Sequence, residues 1–221
     1  MNRSIRGMGV VAAACLAACT GSLFKSKVAP PTVYMLSGPK LPAAAAPAGE
    51  SGRGAPAGGI PVDLAVLRPK LRPGLESDRI AILYPDRRLD YFADARWSGP
   101  LGEVLQDLAV QEFHSRANLR SVSGDASVFA SAYWLEIEVT DFQAEYTSAA
   151  SAPTVHAHFL ARVGTSGDRH ILGQFAANAE QPAAENRLTA IIDAYARAAD
   201  AALAEIVTRA AETLAKISEA R

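Results

Sequence analysis

Three successive segments between residues 133 and 179 alternate apolar and polar side chains, the pattern of strands with one buried face. The positions on the apolar face are Tyr133, Leu135, Ile137 and Val139, then Val155, Ala157, Phe159, Ala161 and Val163, then Ile171, Gly173, Phe175, Ala177 and Ala179. In the first segment the apolar parity then shifts by one residue, to Phe142 and Tyr146. A one-residue slip would turn every side chain to the other face, so we expect a β-bulge or a bend near Asp141.

A long helical pattern follows these strands. Apolar residues recur three and four positions apart from Leu188 to Ile217, which predicts one helix that opens at Pro182. About 35 residues at 1.5 Å each span roughly 50 Å, more than a compact domain of this size needs. We therefore expect the last turns to protrude or to meet another chain, and self-association is an alternative that the sequence leaves open.

The segments upstream complete the fold prediction. They comprise a first strand over 31–37, an alternating strand from residue 60 to 66, two runs over 80–97 that are close enough to form an antiparallel hairpin, a helix over 101–117, and a short strand over 119–122. The order of these elements along the chain is strands, a helix, strands and a long helix. This order predicts an α+β domain of two layers, with both helices on one face of a mixed, mostly antiparallel sheet.

The first nineteen residues indicate the cellular compartment. Arg3 and Arg6 precede a short apolar run over 7–14, and Leu-Ala-Ala-Cys ends at Cys19. This is the plan of a secretory signal with Cys at the cleavage site, and it resembles a bacterial lipobox. We expect Cys19 to be acylated and to become the first residue of the mature chain. The alternatives are an ordinary signal peptide and a membrane-spanning anchor, although spanning needs about 20 apolar residues.

The resulting domain plan is a signal peptide over 1–18, a lipidated tether over 19–30, and one domain over 31–221. Residues 38–59 are almost all Ala, Pro and Gly, and such a segment buries too little apolar surface to order itself. We therefore interpret it as a disordered, exposed insertion within the domain. The chain carries 22 Lys and Arg against 23 Asp and Glu, so its charge gives no reason to expect nucleic acid as a partner.

The sequence shows no catalytic constellation. Both cysteines, Cys15 and Cys19, belong to the N-terminal segment, and G-x-S-x-G, H-E-x-x-H, P-loop and G-x-G-x-x-G motifs are missing. We therefore expect neither an enzyme nor a cofactor. His156 and His158 would place both rings on one face of a strand, where they could share a cation. No Asp or Glu pattern nearby completes such a site, so we interpret the pair as part of a solvated face and predict no metal.

The segment from 77 to 100 combines aromatic residues with arginines. Arg79, Tyr91, Arg96 and Trp97 lie within it, and Arg, Tyr and Trp are enriched at the energetic centres of protein interfaces. This composition favours a partner-binding surface at these four residues. The alternative is that the aromatic side chains belong to the core and the arginines pair with neighbouring aspartates.

The same segment carries a family resemblance. S-D-R-I-A at 77–81, Y-P-D-R-R-L-D-Y-F at 84–92 and A-R-W-S-G-P at 95–100 resemble the ABC-type transport auxiliary lipoproteins, which are partners of MCE-domain lipid transporters in Gram-negative envelopes. The residues that carry the resemblance are Ser77, Asp78, Arg79, Ile80, Tyr91, Arg96, Trp97 and Pro100, together with Cys19. It implies a fold similar to the small α/β domain at the N-terminus of the periplasmic protein TolB. The insertion over 38–59 departs from the family pattern in its length.

The resemblance also implies a function. It indicates a non-catalytic lipoprotein that docks a periplasmic MCE-domain protein and helps to move phospholipid or other hydrophobic cargo between membranes. Because Thr20 rather than Asp follows Cys19, it implies an anchor in the outer membrane, facing the periplasm, rather than in the inner membrane. The alternatives are a lipid-tethered envelope hydrolase and a structural envelope lipoprotein.

The lipobox interpretation predicts the behaviour of one variant. Cys19→Ser should accumulate as an uncleaved precursor that takes up no acyl label, because the sulfur that receives the lipid is gone. Metabolic labelling with a fatty acid, followed by immunoprecipitation, measures both properties. Normal processing of Cys19→Ser would contradict a lipidated start at this residue.

Overall fold

The computed structural model describes residues 30–37, 59–124, 131–148 and 150–220. The chain divides at residue 30 into two units, and every helix and strand described belongs to residues 31–221. The predicted lipidation residue Cys19 and the predicted insertion, apart from Gly59, lie outside the described residues.

Within these ranges the chain forms nine strands and two helices. They are β1 Thr32–Tyr34, β2 Ile60–Val66, β3 Lys70–Leu71, β4 Arg79–Leu83, β5 Leu89–Trp97, α1 Leu101–Arg116, β6 Leu119–Gly124, β7 Tyr133–Glu145, β8 Thr154–Thr165, β9 Ile171–Pro182 and α2 Leu188–Glu219. The predicted α+β class is confirmed.

Strand β7 lies at the centre of the sheet. One of its edges pairs with β8 in an antiparallel ladder from Tyr133 to Glu145, and β9 pairs antiparallel with β8 beyond it. The other edge takes β2, β3 and β4 one after another, each of them parallel to β7. Strand β6 lies beside β2, β5 forms the predicted antiparallel hairpin with β4, and β1 lies beside β5. Most of the paired residues belong to antiparallel ladders, which confirms a mixed, mostly antiparallel sheet.

The predicted irregularity near Asp141 is confirmed as a shift of register. Val139 pairs with Phe159, but Asp141 pairs with the neighbouring residue His158, so Thr140 is the extra residue of β7. Beyond this bulge the buried positions of β7 move to Phe142 and Ala144. The extra residue therefore keeps apolar side chains on one face along the whole strand.

Both helices pack on the same face of the sheet. Helix α2 crosses β9, β8, β7 and β2, and it also contacts α1. Its buried stripe is rich in alanine, which lets the helix backbone approach the strands closely; the buried alanines are Ala190, Ala194, Ala198, Ala199, Ala202 and Ala210. The opposite face of the sheet carries no helix among the described residues, and we call it the open face.

A cluster of aromatic rings joins α2 to the sheet. The ring of Tyr195 makes edge contacts with Trp97 at 5.3 Å and with Phe142 at 5.1 Å between centroids. Phe159 extends the cluster, 6.1 Å from Phe142. The buried hydroxyl of Tyr195 donates a hydrogen bond to the carbonyl oxygen of Ala81, so the polar end of this ring is satisfied inside the core.

The bounds of α2 differ from the sequence prediction. The helix begins at Leu188, not at Pro182, because Pro182 is the last residue of β9. The predicted protrusion of its last turns is wrong, since Leu214 is fully buried and Ile217 packs against the core. A twelve-residue strand is roughly 40 Å long, and α2 is about 48 Å long, so the sheet supports nearly the whole helix. Self-association stays a prediction.

Gly164 provides a test of the packing on the open face. It pairs directly with Trp134, and a Cβ placed on it would overlap the Trp134 ring and lie 2.8 Å from the carbonyl oxygen of His170. Gly164→Ala should therefore lower the free energy of unfolding by about 1–3 kcal/mol, measured by urea denaturation. Gly167→Ala is the matched control, because nothing lies within 4 Å of its Cβ position. Equal stability of the two variants would contradict this close approach.

Candidate functional site

The β4–β5 hairpin and the corner that leads into α1 hold the four residues predicted to bind a partner. The hairpin pairs Leu83 with Leu89 and Ala81 with Tyr91. At the corner, the backbone N–H of Trp97 donates to the carbonyl oxygen of Asp78 at 2.7 Å, and that of Leu101 donates to Ser77 at 3.2 Å. These bonds fasten the end of β5 and the start of α1 to the segment before β4.

Trp97 belongs to the core. Its side chain is 2% exposed, and its ring lies in the aromatic cluster against Tyr195 and Phe142. Of the two alternatives that the sequence left open, the core position therefore holds for this residue. Trp97 supports the surface above it but is not available for direct contact.

Arg79 and Arg96 lie side by side on the open face. They are direct register partners in β4 and β5, so their side chains leave the same face of the sheet. The guanidinium carbon of Arg79 lies 3.8 Å from the ring centroid of Tyr91, in a cation–π contact. Tyr91 is fixed in turn, because its hydroxyl donates to the carbonyl oxygen of Gly74 at 2.8 Å. Arg96 pairs with Asp78 at 2.9 Å, and both of these side chains are partly exposed.

Strand β1 and the residue that follows it add two apolar side chains beside these arginines. Val33 is the register partner of Arg96, and Val33 and Met35 are 60% and 71% exposed. The sequence predicted this strand but not its neighbour, because the pairing of β1 with β5 joins segments more than sixty residues apart. We call the group of Val33, Met35, Arg79, Tyr91 and Arg96 the hairpin surface.

A second feature of the open face is a cleft of about 440 Å³ between the hairpin and strands β7 to β9, which we call the polar cleft. Its walls are Arg72, Pro73 and Leu75 from the loop after β3, Leu83, Arg87 and Leu89 from the hairpin, and Asp141, Gln143, Glu145, His156, His158 and Glu180 from the three strands. The hairpin therefore carries the hairpin surface and also one wall of the polar cleft.

Acidic side chains surround the histidine pair in the polar cleft. Nδ1 of His156 lies 3.4 Å from Oε1 of Glu180, and its Nε2 lies 3.7 Å from Oε2 of Glu145. Nδ1 of His158 lies 3.3 Å from Oδ2 of Asp141. The sequence analysis missed these carboxylates because they come from the two neighbouring strands. The signal that could have found them is the register of β8 with β7 and β9, which pairs His156 with Gln143 and Glu180.

Gln143 and Arg72 hold the carboxylates of the cleft in place. The side-chain amide of Gln143, which is buried, donates to Asp141 and to Glu145 at 3.0 Å each. Arg72 pairs with Asp141 at 3.2 Å. Farther along the open face, Glu136 is bound by Lys70 at 2.6 Å and by Arg162 at 3.3 Å, so it serves an ion-pair network.

One acid is buried away from both features. Glu112 of α1 is fully buried, and burial raises the pKa of its carboxyl group, although the Arg116 guanidinium beside it acts in the opposite direction. Arg116 also pairs with Asp200 of α2 at 2.8 Å. This group ties the two helices together and does not face the polar cleft.

Two properties of the described residues bear on the class of protein. No described helix has the length and apolar character needed to cross a membrane. The polar cleft, as far as the described residues line it, contains no serine, threonine or cysteine.

Comparisons with known proteins give a family and a fold. Residues 40–207 match the family described as the ABC-type transport auxiliary lipoprotein component. A crystal structure of a protein from Xanthomonas campestris is similar with a TM-score of 0.71 and 21% identity, over 85% of this chain and 99% of that one. An uncharacterized protein is similar with a TM-score of 0.59 and 13% identity, over 83% of this chain and 98% of that one. At these identities the solved structures show the fold alone, and none of the curated proteins matches the sequence.

The two residues at the β5–α1 corner should differ sharply in their effect on stability. Trp97→Ala removes a buried ring from the aromatic cluster and should lower the free energy of unfolding by about 3–5 kcal/mol. Arg96→Ala removes a partly exposed ion pair and should change it by less than about 1 kcal/mol. Urea denaturation of the full chain measures both. A Trp97→Ala variant as stable as the wild type would contradict its position in the core.

Proposed function

Because the chain belongs to the family of ABC-type transport auxiliary lipoprotein components, we propose that it is the non-catalytic auxiliary lipoprotein of an MCE-type lipid transport system. In this proposal the acylated Cys19 anchors it to the outer membrane, with the domain facing the periplasm. The domain docks a periplasmic MCE-domain protein and helps to move phospholipid or other hydrophobic cargo between the two membranes.

The observation that carries the proposal is the composition of the hairpin surface. Arg79, Arg96 and Val33 form one row across β4, β5 and β1, and Tyr91 beneath Arg79 and the exposed Met35 after β1 complete the surface. Arginine and tyrosine contribute more binding free energy at protein interfaces than most residues do, provided that they are desolvated at the centre of the contact. Flanking Val33 and Met35 supply apolar area for that desolvation.

The scaffold beneath this surface favours binding. Trp97 is buried directly behind the row and packs on Tyr195, so β5 cannot shift without disturbing the core. The stacking of Arg79 on Tyr91 restricts the guanidinium before any partner arrives. A surface that is ordered in advance loses less conformational entropy on association.

The charges of the row indicate the chemistry of the partner surface. Among the described residues, Arg79 contacts an aromatic ring but forms no ion pair with a carboxylate. Arg96 is already neutralised by Asp78. An acidic side chain of the partner would therefore gain most by pairing with Arg79, and this pair would lie beside the apolar contact made by Val33 and Met35.

The non-catalytic role in this proposal rests on the family, which is described as a component of transport systems. In the polar cleft, Asp141 lies between Arg72 at 3.2 Å and His158 at 3.3 Å.

A double variant tests the docking surface. Arg79→Ala/Arg96→Ala should reduce recovery of an MCE-domain protein at least tenfold, because it removes both guanidinium groups from the centre of the contact. The measurement is affinity purification of the tagged full chain from detergent-solubilised envelopes, followed by quantitative mass spectrometry. Arg187→Ala is the matched control, since Arg187 is an exposed, ion-paired arginine outside the hairpin surface.

Two results would contradict the proposal, and they separate its parts. A folded double variant that recovers its partner at the wild-type yield would exclude the hairpin surface as the docking site. A wild-type chain that recovers no MCE-domain protein would exclude the MCE role itself. Circular dichroism and thermal melting establish that the variants are folded.

A further inference from the structure

Three side chains in the polar cleft converge on one point. His156, His158 and Glu180 each place a ligand atom within 4.8 Å of the ligand atoms of the other two. The histidines lie two residues apart on β8, so they share a face, and Glu180 is the direct register partner of His156 on β9. We propose that these three residues form a binding site for a divalent transition-metal ion of the zinc class. This proposal is independent of the proposed function.

The distances suit such a site after small side-chain movements. Zinc binds histidine nitrogen at about 2.0–2.1 Å and carboxylate oxygen at about 2.0–2.2 Å, so tetrahedral ligands lie roughly 3.4 Å apart. Nδ1 of His156 and Oε1 of Glu180 are already 3.4 Å apart. The Glu180 side chain is 64% exposed and free to adjust, whereas the His156 side chain is 18% exposed and is held between strands.

Two carboxylates lie beside the histidine rings, where they can orient them for an ion. A metal-bound histidine usually donates the proton of its other ring nitrogen to a carboxylate, which fixes the tautomer and the ring orientation. Asp141 faces Nδ1 of His158, which leaves Nε2 for the ion. Glu145 lies 3.7 Å from Nε2 of His156, longer than a hydrogen bond, so it has to move closer to accept this proton, and Nδ1, 3.4 Å from Glu180, is left for the ion.

Gln143 strengthens this arrangement. Its buried amide donates to both Asp141 and Glu145, so one side chain sets the positions of the two carboxylates that orient the histidines. Asp141 and Glu145 are positioning residues in this proposal, and His156, His158 and Glu180 are the ligands.

The donor set indicates the class of ion. Two imidazoles and one carboxylate suit zinc and related transition metals, whereas magnesium and calcium prefer oxygen ligands alone. Three carboxylates and two arginines line the cleft, so with neutral imidazoles the site carries a negative charge that a divalent cation compensates. Three protein ligands would leave a fourth coordination position for water, and all three side chains line the 440 Å³ cleft.

The test uses the full chain in detergent after treatment with a chelator. Titration calorimetry with Zn²⁺ should show one site per chain, and Co²⁺ should give the visible absorption bands of a tetrahedral complex. His156→Asn and His158→Asn should each weaken Zn²⁺ affinity at least a hundredfold, and Glu180→Gln at least tenfold. Asp141→Asn should weaken it about 10–100-fold, because the amide no longer accepts the ring proton that orients His158.

His114→Asn is the matched control, because His114 lies on α1 and does not line the cleft. It should bind Zn²⁺ like the wild type. Glu180→Gln keeps the test decisive if a histidine variant fails to fold, since Glu180 is largely exposed. Equal affinity in the wild type and the folded cleft variants would overturn the site. So would the lack of saturable binding up to about 1 mM Zn²⁺, which would show that the histidines and carboxylates of the cleft only pair with one another.

Discussion

The rest of the fold depends on the pairing of the backbone N–H and C=O groups along both edges of β7. This strand has thirteen residues, and β8 satisfies one of its edges along the whole length. The other edge is filled by a single stretch of chain that runs alongside it from β2 to β4. Between the short strands of that stretch, Leu67 and Arg72 donate backbone hydrogen bonds to Leu135 and Val139 at 2.8 and 3.1 Å, so the pairing continues where no strand is assigned. Buried backbone N–H and C=O groups have to be hydrogen-bonded, and the segment from β2 to β4 supplies the partners for this edge of β7. As a result, the β4–β5 hairpin lies beside the end of β7 that carries Asp141 and Glu145.

The aromatic cluster turns this sheet into a rigid support. Trp97, Phe142 and Tyr195 come from β5, β7 and α2, so movement of any one element would open the contacts of the other two. Burial raises the pKa of the Tyr195 phenol far above its usual value, which keeps the hydroxyl protonated as a donor to Ala81 of β4. Four elements therefore meet at one buried group on the helix-covered face. The arginines of the hairpin surface are attached to the same strands on the other face, and a binding surface on such a support is held in one geometry.

The sequence predicted local structure better than the placement of elements. Alternation identified β7, β8 and β9, and the change of parity near Asp141 located the bulge, because both signals depend on neighbours in the chain. Parity could not place both Tyr91 and Trp97, because the register of the β4–β5 ladder shifts between them. The position of β1 beside β5 and the carboxylates around His156 depend on pairing between distant segments. Nothing in a local pattern specifies such a register, so the histidines looked solvated in the sequence although three acids surround them in the fold. The start of α2 was predicted too early because Pro182 was interpreted as the first turn of the helix, whereas it ends β9 and the helix begins at Leu188, the first apolar residue of its stripe.

The open face carries opposite charge at its two features. The hairpin surface presents Arg79 beside the Arg96–Asp78 pair, whereas in the polar cleft three carboxylates on β7 and β9 outnumber two arginines. Strands β4 and β5 connect the two, because Leu83 and Leu89 line the cleft while Arg79 and Arg96 lie at the other end of the same ladder. A partner that approaches this face therefore meets a charge gradient as well as an apolar edge. Complementary potentials orient an encounter and reject the wrong register more than they raise affinity. On a domain whose overall charge is close to neutral, this local separation of charge is what distinguishes one orientation of docking from another.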